Sequence, residues 1–129
     1  MNIRIKVVDR KCGSGYSYEK NDCTVQTLAN ALHISYDEAH IILKDAGRKD
    51  KHRFNFVAWA DKQENLIAMN LHGIRITTGK IGSIFVCAFG TWICKTRGHV
   101  FAIVNGIVVD NSTPRLKAPV LNIWQVVEV

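Results

Sequence analysis

The sequence predicts an α+β domain in which N-terminal helices pack on a C-terminal antiparallel β-sheet. Up to about residue 71, apolar residues recur mostly at helical spacing, whereas after residue 84 β-branched and aromatic residues lie between glycines. Helices first and strands afterwards is an α+β order. A chain of 129 residues with 47% hydrophobic residues and two prolines indicates a single domain over residues 1–129.

The first predicted elements are a strand, a long loop and a helix. The strand is predicted because Ile3, Ile5 and Val7 alternate with polar residues. Residues 9–21 collect Gly, Ser, Tyr and charge without periodicity, so they form a loop of the length that is often functional. A helix over 23–32 follows, because apolar residues recur at i, i+3, i+4 and i+7: Val25, Leu28, Ala29 and Leu32.

Two further helices are predicted on either side of a basic stretch. The residues Ser35-Tyr36-Asp37-Glu38 form a capping box, which begins a helix over 36–46 that Gly47 ends. The charged residues 48–53 then predict a solvated loop with one acid in its middle. Apolar residues at loose helical spacing predict a third helix over 55–71.

The second half predicts five strands, over residues 84–89, 91–95, 100–104, 107–110 and 120–129. Asn105-Gly106 between two apolar runs is a strong signal for a two-residue hairpin. This turn sets Val104 opposite Ile107 and therefore His99 opposite Ser112. Since strand side chains alternate between faces, Asp110 then lies on the face of His99 and within its reach. Asn111 points the other way.

These positions suggest a nucleophilic site. Cys23 begins a helix, where exposed N–H groups and the helix dipole favour an anion. His99 could take the thiol proton, and Asp110 could hold the imidazole in the required tautomer. Each residue also has a simpler interpretation: a small buried hydrophobe for Cys23, a strand-start histidine for His99, and turn chemistry for Asp110.

Other chemistry is less well supported by the sequence. The cysteines at 12, 23, 87 and 94 show no CxxC spacing and there is no HxxxH pair, so we expect no metal and no cofactor. The N-terminus does not resemble a signal peptide and no apolar run approaches a membrane span, so we expect a cytoplasmic protein with reduced cysteines. The net charge of +6 permits nucleic acid or an acidic protein partner, and the oligomeric state is left open.

Two stretches together resemble a known family. They are Asn21-Asp22-Cys23 with the capping box that follows, and the run from Gly98-His99 through Asn105-Gly106 to Asp110. In this order they are similar to the small papain-like cysteine peptidase-fold proteins of bacteriophages, which share a plan with the leader peptidases of bacteriocin exporters. The resemblance covers about residues 20–50 and 84–128. It implies a papain-like fold with Cys23 as nucleophile, His99 as general base and Asp110 as its orienting partner.

The chain departs from that family at one position. A papain-like site usually has a glutamine about six residues before the cysteine, which donates a hydrogen bond to the oxyanion. Here that position is Ser17, and no glutamine precedes Cys23. Loss of one oxyanion donor costs on the order of 3 kcal/mol in barrier height. Asn21, Ser17 or a loop tyrosine are the candidate replacements.

Three functions follow as expectations. The first is a peptidase or isopeptidase acting on a host or viral protein, in the bacterial cytoplasm if the chain is phage-encoded. The second is a catalytically weak or inactive papain-like fold that binds and inhibits a host defence protein. The third is DNA binding, because residues 28–35 followed by a capped helix resemble a helix-turn-helix. Asp37 and Glu38 would there face phosphates, and nucleic acid is therefore not favoured.

Overall fold

The computed structural model describes residues 4–69, 89–112 and 118–128, which form an α+β structure of three helices and a six-stranded mixed sheet. The helices are α1 (Cys23–Leu32), α2 (Tyr36–Asp45) and α3 (Phe56–Ala60). The strands are β1 (Arg4–Val7), β2 (Leu66–Met69), β3 (Thr91–Thr96), β4 (His99–Val104), β5 (Ile107–Asp110) and β6 (Asn122–Val126). Their order across the sheet is β1-β5-β4-β3-β6-β2.

The strands of the second half pair antiparallel as predicted, but the N-terminal strand β1 also joins the sheet and makes it mixed. β1 runs parallel to β5, from Arg4 opposite Ile107 to Val7 opposite Asp110, and the other pairs are antiparallel. Alternation of apolar and polar residues identifies a half-buried strand but carries no information about its direction. Only the tertiary contact with β5 sets it.

The predicted helix over 55–71 is also wrong beyond Ala60. Asn55 caps α3 by accepting a hydrogen bond from the N–H of Ala58 at 3.3 Å, and the helix ends after five residues. Leu66–Met69 then pairs antiparallel with β6, from Leu66 opposite Val126 to Met69 opposite Ile123. Pairing at the sheet edge outweighs a loose helical spacing, because strand formation depends mainly on tertiary context.

The other predicted helices are present. α1 has the predicted bounds and α2 ends one residue earlier than expected. Ser35 caps α2 by accepting a hydrogen bond from the N–H of Glu38 at 3.1 Å. Residues 8–22 contain turns but no helix or strand, as predicted for the long loop. Of the predicted strand over 84–89, residues 84–88, including Cys87, lie outside the described residues.

The hairpin of β4 and β5 has the predicted register. Val104 lies opposite Ile107, Ile103 opposite Val108 and Ala102 opposite Val109. Asn105 and Gly106 have φ of 49° and 79°, and two positive φ values are what a type I′ turn requires. The turn therefore fixes which residues of the two strands can meet.

The core surrounds the middle strands of the sheet. Alternate residues of β4 belong to two apolar clusters, Phe101 and Ile103 to one and Val100 and Ala102 to the other. α1 packs against β4, and the hydroxyl of Thr27 donates a hydrogen bond to the carbonyl of Val100 at 2.8 Å. Since Thr27 lies one turn after Cys23 and Val100 follows His99, this bond aligns the helix start with the strand start.

No helix among the described residues is long and apolar enough to cross a membrane. The longest of them have ten residues, about half of what a span requires.

Candidate active site

Cys23 is the first residue of α1 and is partly exposed. Asp22 precedes it, but the Asp22 side chain does not cap the helix. Its carboxylate instead accepts hydrogen bonds from the hydroxyl of Tyr36 at 3.0 Å and from the amide of Gln26 at 3.3 Å. The N–H groups of the first turn are therefore not capped by Asp22, and they lie where they stabilise negative charge near the sulfur.

His99 and Asp110 are joined across the hairpin as the register predicted. His99 Nε2 lies 2.6 Å from Asp110 Oδ2, and the other carboxylate oxygen accepts from the N–H of Asn111 at 2.8 Å. The Asp110 side chain is 1% exposed, whereas that of His99 is 25% exposed. Asp110 is thus a buried, fully bonded carboxylate behind an imidazole that reaches solvent.

Cys23 is close enough to the same imidazole to influence its charge. The Asp110 carboxylate, and after it the Cys23 thiol, raise the pKa of His99 to about 9, although burial alone would lower it. Because Nε2 is bonded to Asp110, Nδ1 is the ring nitrogen left for the sulfur. The structure therefore brings Cys23, His99 and Asp110 together in one row.

A small cavity opens beside the sulfur. Its volume is about 120 Å³, and its wall includes both Cys23 and His99. This cavity has room for about four water molecules, which is enough for a short side chain and too little for a folded segment. A group of that size would lie next to both Cys23 and His99.

Of the candidate oxyanion donors, Asn21 lines this cavity, whereas Ser17 and the loop tyrosines Tyr16 and Tyr18 do not. Asn21 has a positive φ of 51°, and its side-chain amide donates to the carbonyl of Lys51 at 3.0 Å. The second N–H of that amide remains for another acceptor. Ser17 is exposed and is not part of the cavity wall, so its predicted role has no geometric support.

The loop before Cys23 is held by a buried ionic cluster that the sequence did not reveal. Glu19 accepts hydrogen bonds from both terminal nitrogens of Arg48 at 2.8 and 3.2 Å, and from the N–H of Lys51 at 2.6 Å. His40 Nε2 lies 2.7 Å from the same carboxylate. Burial by itself would raise the pKa of Glu19, but the bonds from Arg48, Lys51 and His40 outweigh it and lower the pKa to about 2.

The predicted solvated loop over residues 48–53 is wrong at Arg48 only, since residues 49 and 51–53 are exposed as expected. Arg48 is buried, with 4% of its surface exposed. The sequence also did not reveal the hydrogen bonds that connect Gln26 of α1 to the long loop. The Gln26 side chain accepts from the N–H of Arg10 at 2.9 Å and donates to the Asp9 carboxylate at 2.8 Å. Hydrogen-bond partners that are sixteen or more residues apart leave no periodic pattern in the sequence. The one local signal is that Arg48 lies three residues after the end of α2, whose buried face includes His40.

The cluster also holds three potential metal ligands, which the spacing of the sequence did not indicate. Ligand atoms of Glu19, His40 and Asp50 lie within 4.8 Å of one another. The guanidinium of Arg48 bonds to both oxygens of Glu19 and already supplies the positive charge there. We therefore interpret the group as an ion-pair network that fixes the loop.

Comparisons with family models, with curated proteins and with solved structures found no match to this chain. The interpretation of the site rests on its own geometry.

Proposed function

We propose that the protein is a papain-like cysteine peptidase or isopeptidase that acts on a host or viral protein through Cys23, His99 and Asp110. The observation that carries the proposal is the position of the His99 ring, with Nε2 2.6 Å from buried Asp110 and Cys23 as its second partner. An imidazole that is held by an acid and lies beside a thiol is the arrangement that nucleophilic catalysis requires.

In the proposed reaction, the Cys23 sulfur attacks the carbonyl carbon as a thiolate, and the imidazolium of His99 holds the proton. The N–H groups at the start of α1, with Asn21 as a further donor, stabilise the oxyanion. The C–N bond breaks as His99 gives its proton to the leaving amine. Water then attacks the thioester while His99 takes its proton, which releases the acid and restores the sulfur.

Asp110 acts through His99. Its carboxylate keeps the proton on Nε2, so that Nδ1 faces the sulfur, and it stabilises the charged ring.

Selective alkylation tests the proposal. An ordinary thiol is only a few per cent ionised at neutral pH, so a thiolate held by an imidazolium reacts on the order of tenfold faster. We expect iodoacetamide to label Cys23 on the order of tenfold faster than exposed Cys12, as measured by peptide mass spectrometry over time. His99→Ala should remove the difference in labelling rate between Cys23 and Cys12. The control His52→Ala, which changes an exposed histidine, should keep it.

Equal labelling of Cys12 and Cys23 in the unmodified protein would contradict the proposal. For the substrate itself, Cys23→Ala immobilised as bait should retain a host protein that the unmodified protein cleaves.

A second candidate function is binding without turnover, as an inhibitor of a host defence factor. It is favoured by Ser17, which replaces the usual glutamine and lies off the cavity wall. Under this alternative the protein forms a stable complex with its target, and the complex forms equally well with Cys23→Ser. DNA binding remains disfavoured, because the exposed residues at the start of α2 are Asp37 and Glu38.

A further inference from the structure

We propose that the cavity beside Cys23 selects a substrate with a carboxylate close to the reacting carbonyl, and that Arg53 and Lys95 bind this carboxylate. The inference rests on the proposed function and specifies its substrate class. The carboxylate could belong to an acidic side chain or to a free chain end. Both present the same charge to the cavity, and the experiment below distinguishes them.

The first argument is the charge of the cavity wall. Besides His99 it contains two further basic side chains, Arg53 and Lys95, and none of the described residues that line it is acidic. Arg53 is exposed, and its guanidinium lies over the turn before β4, where a Cβ built on Gly98 would be 3.6 Å from Nη1. Lys95 donates to the carbonyl of Thr96 at 3.2 Å, which holds its ammonium beside the same turn.

The second argument is that the nearest acids are engaged elsewhere. Asp110 lies behind His99 and is bonded on both oxygens. Asp22 is buried and bonded to Tyr36 and Gln26, and Glu19 is paired with Arg48. Asp50 accepts from the hydroxyl of Tyr18 at 3.1 Å. None of these carboxylates is part of the cavity wall, so among the described residues Arg53 and Lys95 have no acidic partner there.

The third argument is size. A volume of about 120 Å³ suits a group of four or five heavy atoms, such as a carboxymethyl or carboxyethyl group. A charged group of that size would be partly desolvated next to two cations, which strengthens its attraction to them relative to water. A neutral side chain of the same shape gains no such interaction.

The experiment uses two matched pairs of thiol-alkylating probes. N-iodoacetyl-aspartic acid α-amide and N-iodoacetyl-asparagine α-amide differ only in a side-chain carboxylate. N-iodoacetyl-glycine and N-iodoacetyl-glycinamide differ only in a terminal one. The rate of modification of Cys23 is measured for each probe at neutral pH and low salt, and N-acetylcysteine gives the intrinsic ratio within each pair.

We expect the acidic probe of at least one pair to be favoured at Cys23 beyond the N-acetylcysteine ratio, by about two- to fivefold for each cation. The pair with the larger preference identifies the source of the carboxylate. Arg53→Gln combined with Lys95→Gln should abolish the preference within both pairs. As a control, Lys44→Gln combined with Lys62→Gln removes two exposed charges away from the cavity. It should leave the preference for the acidic probes unchanged.

Three outcomes would overturn this inference. One is the absence of a preference in both pairs, and another is a preference that survives the loss of Arg53 and Lys95. The third is protection of Cys23 by a short DNA duplex that added salt relieves, because it would assign the cations to nucleic acid. The proposed function fails separately, if Cys23 reacts with neutral iodoacetamide no faster than Cys12.

Discussion

The molecule contains two histidine–carboxylate pairs of nearly equal length in very different surroundings. His99 Nε2 lies 2.6 Å from Asp110, and His40 Nε2 lies 2.7 Å from Glu19. The His40 and Glu19 side chains are 1% and 0% exposed, and the Arg48 guanidinium pairs with the same carboxylate. Next to the His99 ring, by contrast, are a thiol and a cavity.

The comparison teaches that the second ring nitrogen decides the role of such a pair. Nδ1 of His40 is buried without a hydrogen-bond partner, and its ring stacks on Tyr16 with centroids 3.7 Å apart. A proton on that nitrogen has no path to a substrate. His99 keeps one nitrogen for the acid and one for the sulfur, so it can pass a proton on. We therefore assign the His40 pair to stability, and the geometry of the His99 pair fits the proposed chemistry.

The largest expected effect on stability is at the buried cluster. Glu19→Gln leaves the Arg48 guanidinium buried without its counter-charge, and breaking a buried ion pair in this way costs about 3–5 kcal/mol. Urea unfolding followed by tryptophan fluorescence measures the loss. Glu64→Gln makes the same chemical change at an exposed residue and should shift stability by no more than about 0.5 kcal/mol. Equal stability of the two variants would contradict the assignment.

The two pairs also differed in how far they could be predicted from sequence. Asn105-Gly106 determines the hairpin register, and the register alone brings Asp110 to His99, so this half of the site follows from local rules. The helix that begins at Cys23 follows from apolar periodicity. What the sequence does not contain is the docking of helix on sheet, which depends on Thr27 reaching the Val100 carbonyl.

The buried cluster could not be predicted for the same physical reason. Glu19 and Arg48 are 29 residues apart and belong to segments without periodicity, and a basic run is normally solvated. β2 was missed because its residues suit a helix and a strand about equally until β6 is beside them. Local signals predicted the elements, and non-local contacts decided how they are joined.

The next largest effect is on the pH dependence of stability, to which the two pairs contribute in opposite directions. Glu19 has its pKa lowered from 4.5 to about 2, so its contribution is present above pH 4.5 and is lost as the pH falls toward 2. His99 has its pKa raised from 6.5 to about 9, so its contribution is present below pH 6.5 and is lost as the pH rises through 9. Allowing for solvent screening, each is worth on the order of 2 kcal/mol.

The midpoints of urea unfolding, measured from pH 2 to pH 10, test whether stability falls at both the acid and the alkaline end. His99→Gln should flatten the alkaline limb and leave the acid limb in place, because Glu19 is untouched. An alkaline limb that persists in His99→Gln would show that another group titrates there.

The smallest expected effect on stability is at Asp110, where the two roles can be separated within one residue. Asp110→Asn keeps an oxygen for the N–H of Asn111 and keeps the packing, so we expect a loss of only about 1–2 kcal/mol. The neutral amide no longer stabilises the imidazolium, so the pKa of His99 should fall from about 9 toward 6.5. A pH titration of the His99 ring signals by NMR measures this pKa. The matched control is Asp37→Asn, the same change at an exposed residue of α2. If the titration of His99 is the same in both variants, Asp110 is a packing residue and the resemblance between the two histidine pairs is complete. If it falls only in Asp110→Asn, the carboxylate controls the charge of the ring that meets Cys23.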